Sequence, residues 1–411
     1  MLIPLIDTIP RNARHQGSVN LGYDIVADKL NAVRIGWADS LPSKYNIYAF
    51  NIFYPMHIFN MLSFMRRNDI PLLKEGRKQK IVVGGQGVSN INCLDNIVNS
   101  VYKGEYDGDS IVDGWHRKTI IDTPVSLRDT FSAIELTRGC KYRCKFCEYG
   151  WVHGGKFRQK SIENVRKDID KLIFQSQSKR VNFMSANLGS YYALDELLDY
   201  TDSMGIHVTN TDVCLKDFES AKRHLTKRQT IKVGVESFDE KTRASVNKTY
   251  SDDKLLEFVN WSVQNTGNIH FYLIYGLPND DYNRWFAWLK ILGEIRKAQQ
   301  DRLIRMEFNL TNFEPCVGTP LEYAPEVDFR EKEYFLKHWS DGLLENNFRK
   351  GNEITYINSR GRFGRMENSY KLLMKIKKSD SSITNALISS FKNGIGRTVK
   401  DELAYNFVEM C

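Results

Sequence analysis

No apolar run in the 411 residues is both long enough and clean enough to span a membrane. The nearest stretch, Tyr45 to Met65, carries no charge, yet Pro55 would break a spanning helix and Asn46, Asn51, His57 and Asn60 interrupt it. It reads as a buried strand, a turn and an amphipathic helix ending at Arg66 and Arg67, so no membrane role is expected. The opening residues carry an acid at Asp7 and too short an apolar stretch for a secretory signal. Cysteine is sparse: there are seven, and three of them crowd into eight residues, unlike a secreted disulfide framework. A cytoplasmic, reducing setting is therefore expected, where thiolates stay free to bind metal. Internal repeats and low-complexity segments are also absent.

Apolar residues make up 42% and charged residues 26%, the balance of a soluble globular protein. The length exceeds what one core holds, so two or three domains are expected. Residues 1–125 alternate strand and helix signals. Asn46–Phe53 is rich in Ile, Tyr and Phe, and Lys80-Ile-Val-Val-Gly84-Gly85-Gln86-Gly87 reads as a buried parallel strand entering a glycine turn. That unit predicts an N-terminal Rossmann-like, doubly wound α/β domain. Its glycines lack the spacing of the dinucleotide fingerprint, which argues against a nicotinamide site.

Across 126–325 the strand candidates are Ser132–Thr137, Val181–Met184, His207–Asn210, Thr230–Val235, His270–Tyr275 and Arg305–Leu310. Helical patterns such as Ile162–Gln175, Leu194–Met204, Ser251–Gln264 and Arg284–Ala298 fall between them. This order predicts a partial (β/α)6 barrel of the TIM type, with its chemistry at the C-terminal ends of the strands. Residues 326–411 read as a basic, mainly helical C-terminal extension. Between Arg349 and Lys400 stand twelve Lys or Arg and three Asp or Glu, so the rest of the chain, whose total is +8, is close to neutral. Arg360, Arg362 and Arg365 around Phe363 offer charge and a stacking face to nucleic acid. A solvated helical face is the plainer reading of such a run.

The first barrel strand leads into Arg138-Gly139-Cys140-Lys-Tyr-Arg-Cys144-Lys-Phe146-Cys147. Three thiolates on a loop after a strand can wrap one face of a metal group, and soft sulfur suits an iron–sulfur cluster or zinc. Structural zinc would want a fourth ligand, for which only His153 lies near. Three ligands on a cluster leave one iron open to a substrate.

Three later segments stand in order behind this motif. They are Gly234-Val-Glu236-Ser237 with Val246-Asn-Lys248, then Tyr275-Gly276-Leu277-Pro278, then Glu314-Pro315-Cys316-Val-Gly318-Thr319-Pro320-Leu321. Together the four resemble the motifs of the radical S-adenosylmethionine (SAM) enzyme superfamily over about 130–320. The resemblance implies a 4Fe-4S cluster on Cys140, Cys144 and Cys147, with Phe146 as the motif's aromatic residue. SAM would chelate the open iron through its amino and carboxylate groups. An electron from a donor such as flavodoxin or ferredoxin would cleave it to a 5'-deoxyadenosyl radical. The resemblance also places Glu236 and Ser237 near the SAM ribose and the backbone of Tyr275 and Gly276 near the adenine. Ser185 and Asn187 stand where many members set a turn against the SAM amino group. Asn210 and Asp212 close the third strand, where polar residues often reach SAM. Cys214 and Cys316, near strand ends, are candidates to donate hydrogen or electrons to a substrate radical, although a small packed residue is the plainer reading of each.

The N-terminal domain, with Val82-Val83-Gly84-Gly85, Asp95 and Gly104-Glu105, is similar to cobalamin-binding domains that precede radical SAM barrels. The Asp-x-His-x-x-Gly motif whose imidazole binds cobalt is missing, so cobalamin is left open and not favoured. The methylthiotransferase branch would need three N-terminal cysteines, and only Cys93 is present. The expected substrate is a nucleobase or nucleic-acid-linked group held by the basic region. The alternative is a small metabolite or a peptide natural product, with the basic region serving as a soluble cap.

Overall fold

The computed structural model describes residues 3–8, 21–53, 57–88, 94–106, 114–116, 132–152, 156–175, 179–226, 228–299, 304–316, 318–325 and 328–348. These divide into two compact units, one within 1–131 and one within 132–358. Among them no helix is long and apolar enough to cross a membrane.

The first unit runs β1 (Pro4–Asp7), α1 (Leu21–Lys29), β2 (Val33–Gly36), β3 (Ile47–Asn51), α2 (Ile58–Arg67), β4 (Lys80–Gly84), β5 (Ser100–Gly104) and β6 (Gly114–His116). All six strands pair in parallel, in the order β2-β1-β3-β4-β5-β6. The uncharged stretch that could mimic a membrane span supplies the core here. Tyr48 and Phe50 of β3 pack with Ile58, Phe59, Met61, Leu62, Phe64 and Met65 of α2. The strand order reverses between β1 and β3, the place where doubly wound sheets take ligands. At that edge Gly85 adopts a φ of +103°, and a Cβ on it would lie 2.5 Å from the Ile52 carbonyl oxygen, so only glycine fits.

The second unit is the barrel. It begins with β7 (Ser132–Glu135), β8 (Thr137–Arg138), α3 (Tyr149–Val152), β9 (Arg158–Gln159), α4 (Ile162–Gln175), β10 (Arg180–Met184), α5 (Leu194–Ser203) and β11 (His207–Val208). It continues with β12 (Asp212–Val213), α6 (Phe218–Leu225), β13 (Thr230–Glu236), α7 (Glu240–Ser245), α8 (Asp252–Asn265), β14 (Asn268–Tyr275), α9 (Tyr282–Ala298), β15 (Arg305–Asn312) and α10 (Phe329–Glu345). Parallel strands β7, β10 and β11 form one sheet and β12 to β15 another. The two sheets share the third barrel strand, whose halves are β11 and β12. Across the gap the Thr209 N–H donates to Val181 O at 2.8 Å and the Lys232 N–H donates to Thr211 O at 3.0 Å. Six parallel strand positions with flanking helices make the partial barrel.

Two strands differ from the sequence expectation. Ser132–Thr137 is not one strand, because after Leu136 the chain leaves the sheet and β8 pairs antiparallel with β9. His207–Asn210 stops at Val208, because the Asn210 side chain takes over the ladder. It accepts from Phe183 N at 2.9 Å and donates to Phe183 O at 2.8 Å. Helix α10, read as the start of the C-terminal extension, packs into the barrel's outer core through Phe335, Trp339 and Leu343. Arg360, Arg362 and Arg365 lie outside the described residues.

Candidate active site

The thiol-bearing loop starts where β8 ends. Gly139 holds a φ of +78°, and a Cβ on it would meet Lys156 O at 2.4 Å. Arg143 is also left-handed, at +48°, with its guanidinium 4.0 Å over the Trp151 ring and its carbonyl accepting from Asn247 Nδ2 at 3.0 Å. The Cys144 carbonyl accepts from Cys147 N and from Trp151 Nε1, each at 3.1 Å. Lys145 ties the loop to later segments, donating to Val246 O at 3.2 Å and accepting from Leu321 N at 3.4 Å. Phe146 makes the apolar part of the same junction, packing on the cluster of Val246, Leu277 and Phe313, which Leu321 also joins. The four sequence motifs therefore meet around one aromatic ring.

Cys140, Cys144 and Cys147 are free thiols, each half-buried. Burial pushes the Cys144 thiol up to about 12, with Lys248 pulling it back in part. Burial also raises Cys147, against backbone N–H groups of Gly150 and Tyr149 that favour its thiolate. Such thiols stay neutral until a metal claims them. Each of the three lies close enough to another to bear on its ionisation. Among the described residues no three His, Cys, Asp or Glu side chains gather tightly enough to hold one metal ion. A four-iron cluster takes one thiolate per iron, and three free thiols on one loop are the donor set for it with one iron left open.

Glu236 ends β13 at a φ of +68°, where the register with β14 shifts between Gly234 and Glu236. Backbone strain of this kind costs on the order of 1–3 kcal/mol in a non-glycine residue and needs local support. Lys248 supplies it, with Nζ 2.9 Å from Glu236 Oε1 and donating to Gly234 O at 3.0 Å. The two side chains are only 11% and 10% exposed. Burial opposes the charge on Lys248, but Glu236 and the nearby Cys144 and Cys214 thiols hold it well above the ordinary lysine value. The pair therefore stands beside the thiol loop.

The loop's other side rests on Asp217, which ends the turn after β12. Lys141 Nζ donates to Asp217 Oδ1 at 2.9 Å, and Asn187 Nδ2 donates to Asp217 Oδ2. The Tyr142 ring lies between Lys141 and Lys216, each 5.0 Å away, and burial together with a hydrogen bond to Asp217 raises its hydroxyl's pKa.

Several residues read as SAM contacts have side chains committed within the protein. The Ser237 hydroxyl is fully buried, donating to Asp280 Oδ1 at 2.6 Å and accepting from Asp239 N at 2.9 Å. Ser185 shares a hydrogen bond with Thr137 at 2.7 Å and donates to Asn187 O, while Asn187 Oδ1 accepts from Cys214 N. Asn210 is spent on the β10 ladder. The Tyr275 ring is buried against Phe335, so only its backbone is left for a ligand, and the Gly276 N–H donates to Tyr282. Cys214 follows β12 near Cys140 and Lys248, whereas Cys316 lies in the turn after β15 with its thiol 3.6 Å from Glu314 O. Glu236 is the SAM candidate that stands beside the thiol loop. Sequence reasoning missed the part played by Lys248, although the residue sits within the quoted motif, and it missed Asp217 altogether.

One further set lies on the inner face of the barrel. The register places Asp212, Lys232, His270 and Glu307 side by side across β12, β13, β14 and β15. Their strand neighbours Val213, Ile231, Val233, Phe271, Met306 and Phe308 face the helices, so alternation turns the four inward. His270 Nε2 lies 3.2 Å from Glu307 Oε2, and Arg305 pairs with Glu307 at 2.8 Å. Closed barrels of this type fill the interior with branched apolar side chains. This one lines it with charge.

The parallel partial barrel presents three free thiols on the loop after its first strand. Residues 134–290 match the model of the radical SAM superfamily, whose members use a 4Fe-4S cluster and SAM, so this part of the chain is a radical SAM domain. In fold it is similar to the radical SAM methyltransferase TsrM of Kitasatospora setae, solved with cobalamin and a [4Fe-4S] cluster. That likeness has a TM-score of 0.53 at 10% identity and covers 78% of this chain and 76% of that one. The cobalamin-dependent SAM radical enzyme OxsB gives 0.50 at 11% identity, covering 100% and 83%. Both have a radical SAM fold, and at these identities the likeness concerns fold alone. An uncharacterized protein of Methanocaldococcus jannaschii is 18% identical over 249 residues, covering 58% of this chain. The chain matches about half of that relative's length, 53%.

Proposed function

We propose that this protein is a radical SAM enzyme acting on a small, polar, charged molecule. Cys140, Cys144 and Cys147 would hold the cluster, which when bound would supply the electron for reductive cleavage of SAM and so the means of hydrogen abstraction from the substrate. The residues around it bind and orient. Glu236, held by Lys248, offers a carboxylate to the ribose hydroxyls, and the backbone after β14 offers polar groups to the adenine. Phe146 and its apolar partners keep water from the thiol loop. The electron would come from a small redox protein such as flavodoxin or ferredoxin, in a reducing cytoplasm.

The inward row of Asp212, Lys232, His270 and Glu307 carries the substrate reading. Arg305 and His270 occupy Glu307, whereas the Lys232 side chain makes no hydrogen bond or ion pair among the described residues, and the Asp212 carboxylate accepts from its own backbone N–H with Lys232 and His270 nearby. A ligand with an anionic group for Lys232 and a donor for Asp212 would satisfy both. This favours a small metabolite or peptide over nucleic acid, whose support is the basic run around Arg360, Arg362 and Arg365. Cobalamin is not carried into the proposal. His57, at the start of α2, is fully buried, and burial lowers its pKa to about 3, so it is a neutral imidazole.

Anaerobic SAM consumption should rise on adding a cell-extract pool filtered free of macromolecules, and Lys232→Met should abolish that rise. Stimulation by the nucleic-acid fraction alone, weakening with salt, would overturn the substrate class and restore the nucleic-acid reading.

A further inference from the structure

Away from the thiol loop, at the opposite end of the third barrel strand, α5, α6 and the start of β11 enclose a cavity of about 100 Å³. Water occupies about 30 Å³ per molecule in the liquid, so this space suits one small ion or about three waters. Leu198, Ile206 and Val208 form its apolar wall, while Asp202, His207, Arg223, His224 and Arg228 supply its polar groups.

Arg228 is the unusual member. Its side chain is buried, with the residue 9% exposed, yet no carboxylate lies within ion-pair reach of it among the described residues. Its Nη1 donates to His207 Nε2 at 3.1 Å, and its buried Nε has no hydrogen-bond partner there. A guanidinium only donates, so His207 accepts at Nε2 and keeps its own proton on Nδ1. Arg223 stands across the cavity, already paired with Asp199 at 2.5 Å and facing Asp202 at 3.6 Å. His224 Nε2 is engaged with Asn210 O at 2.8 Å. Asp202 is near enough to favour the charge but makes no ion pair with it, and a buried guanidinium left so gains from an anion that reaches it. Burial lowers the pKa of Arg228 against the pull of the nearby Asp202, and with Arg228 and Arg180 close by it also lowers that of His207.

We propose that this cavity binds a small tetrahedral oxyanion of the phosphate or sulfate class, with Arg228 as its main ligand and Arg223 as the second. Guanidinium forks match such oxyanions in geometry. A volume of about 100 Å³ is of the size of the oxyanion itself. Helix α6 runs from Asp217, which holds Lys141 of the thiol loop, to Arg223 and His224 on the cavity, so an anion there steadies the helix that anchors the loop.

Thermal unfolding of the full chain is the test, titrated with inorganic phosphate against sodium chloride of equal ionic strength. A saturable rise in Tm beyond the chloride control is expected in the wild type. Arg228→Met should weaken phosphate by at least about tenfold, as expected for losing a charge-assisted hydrogen bond. Should Arg228→Met not fold, Arg228→Lys serves, and it too is expected to weaken phosphate because it loses the fork. Adenosine 5'-monophosphate should bind no more tightly than free phosphate, and a tighter fit would mean that the ligand is a nucleotide. Two results overturn the site: no phosphate-specific shift in the wild type, which leaves a water-filled cavity, or the same shift in the Arg228 variant.

Discussion

Cys144→Ala is expected to remove both the iron–sulfur cluster and all reductive cleavage of SAM. Cys144 is the middle thiol of the loop, and its carbonyl also accepts from Cys147 N and Trp151 Nε1, so the backbone there is already set. The substitution deletes a ligand and leaves this scaffold in place. Two thiols cannot replace three in holding a cluster that keeps one iron open. Loss of activity should therefore come with loss of iron and acid-labile sulfide, while the far-ultraviolet circular dichroism stays that of the wild type. A variant that keeps its iron and its SAM cleavage would show that the cluster sits elsewhere.

The second large effect is expected at the Glu236–Lys248 pair. Breaking a buried ion pair from one side costs about 3–5 kcal/mol, because the remaining charge is left without its partner. Glu236→Gln should therefore destabilise the chain by about 3 kcal/mol in chemical denaturation. It should also weaken SAM binding at least about tenfold, the scale of one lost hydrogen bond to a charged group. The double variant Glu236→Gln with Lys248→Met removes the stranded charge and should regain most of the stability. It should not regain SAM affinity. If stability and affinity return together, Glu236 is only a brace for the bulge at the end of β13 and the ribose assignment is wrong.

Local signals in the sequence revealed much of this architecture. Helix α4 spans Ile162–Gln175 as its periodicity predicts, and Ser251 caps α8 with its hydroxyl accepting from Lys254 N at 3.2 Å. The thiol spacing and the glycine turns were equally plain, since each is a short-range requirement written in adjacent residues. Other features depend on contacts that spacing does not record. Helix α10 looks like a solvated segment because Arg330, Glu331, Lys332 and Glu333 crowd its first turns. Its apolar stripe of Phe335, Trp339 and Leu343 nevertheless enters the barrel core. The polar residues of Ser185–Asn187 and Asn210 sit where SAM contacts are expected, yet backbone and side-chain neighbours claim their hydrogen bonds first. Lys248 became meaningful only when the bulge at Glu236 brought the two together across twelve residues of chain. The inward row from Asp212 to Glu307 needed the strand register, which no single strand reveals.

The measurement closest to the central claim is electron paramagnetic resonance of the anaerobically reconstituted, reduced chain, recorded with and without SAM. The account predicts the signal of one reduced 4Fe-4S cluster per chain. Added SAM should change that signal by occupying the open iron, and 5'-deoxyadenosine should then accumulate. A signal indifferent to SAM with no 5'-deoxyadenosine, or a chain that takes up zinc on these thiols in place of iron, would contradict it.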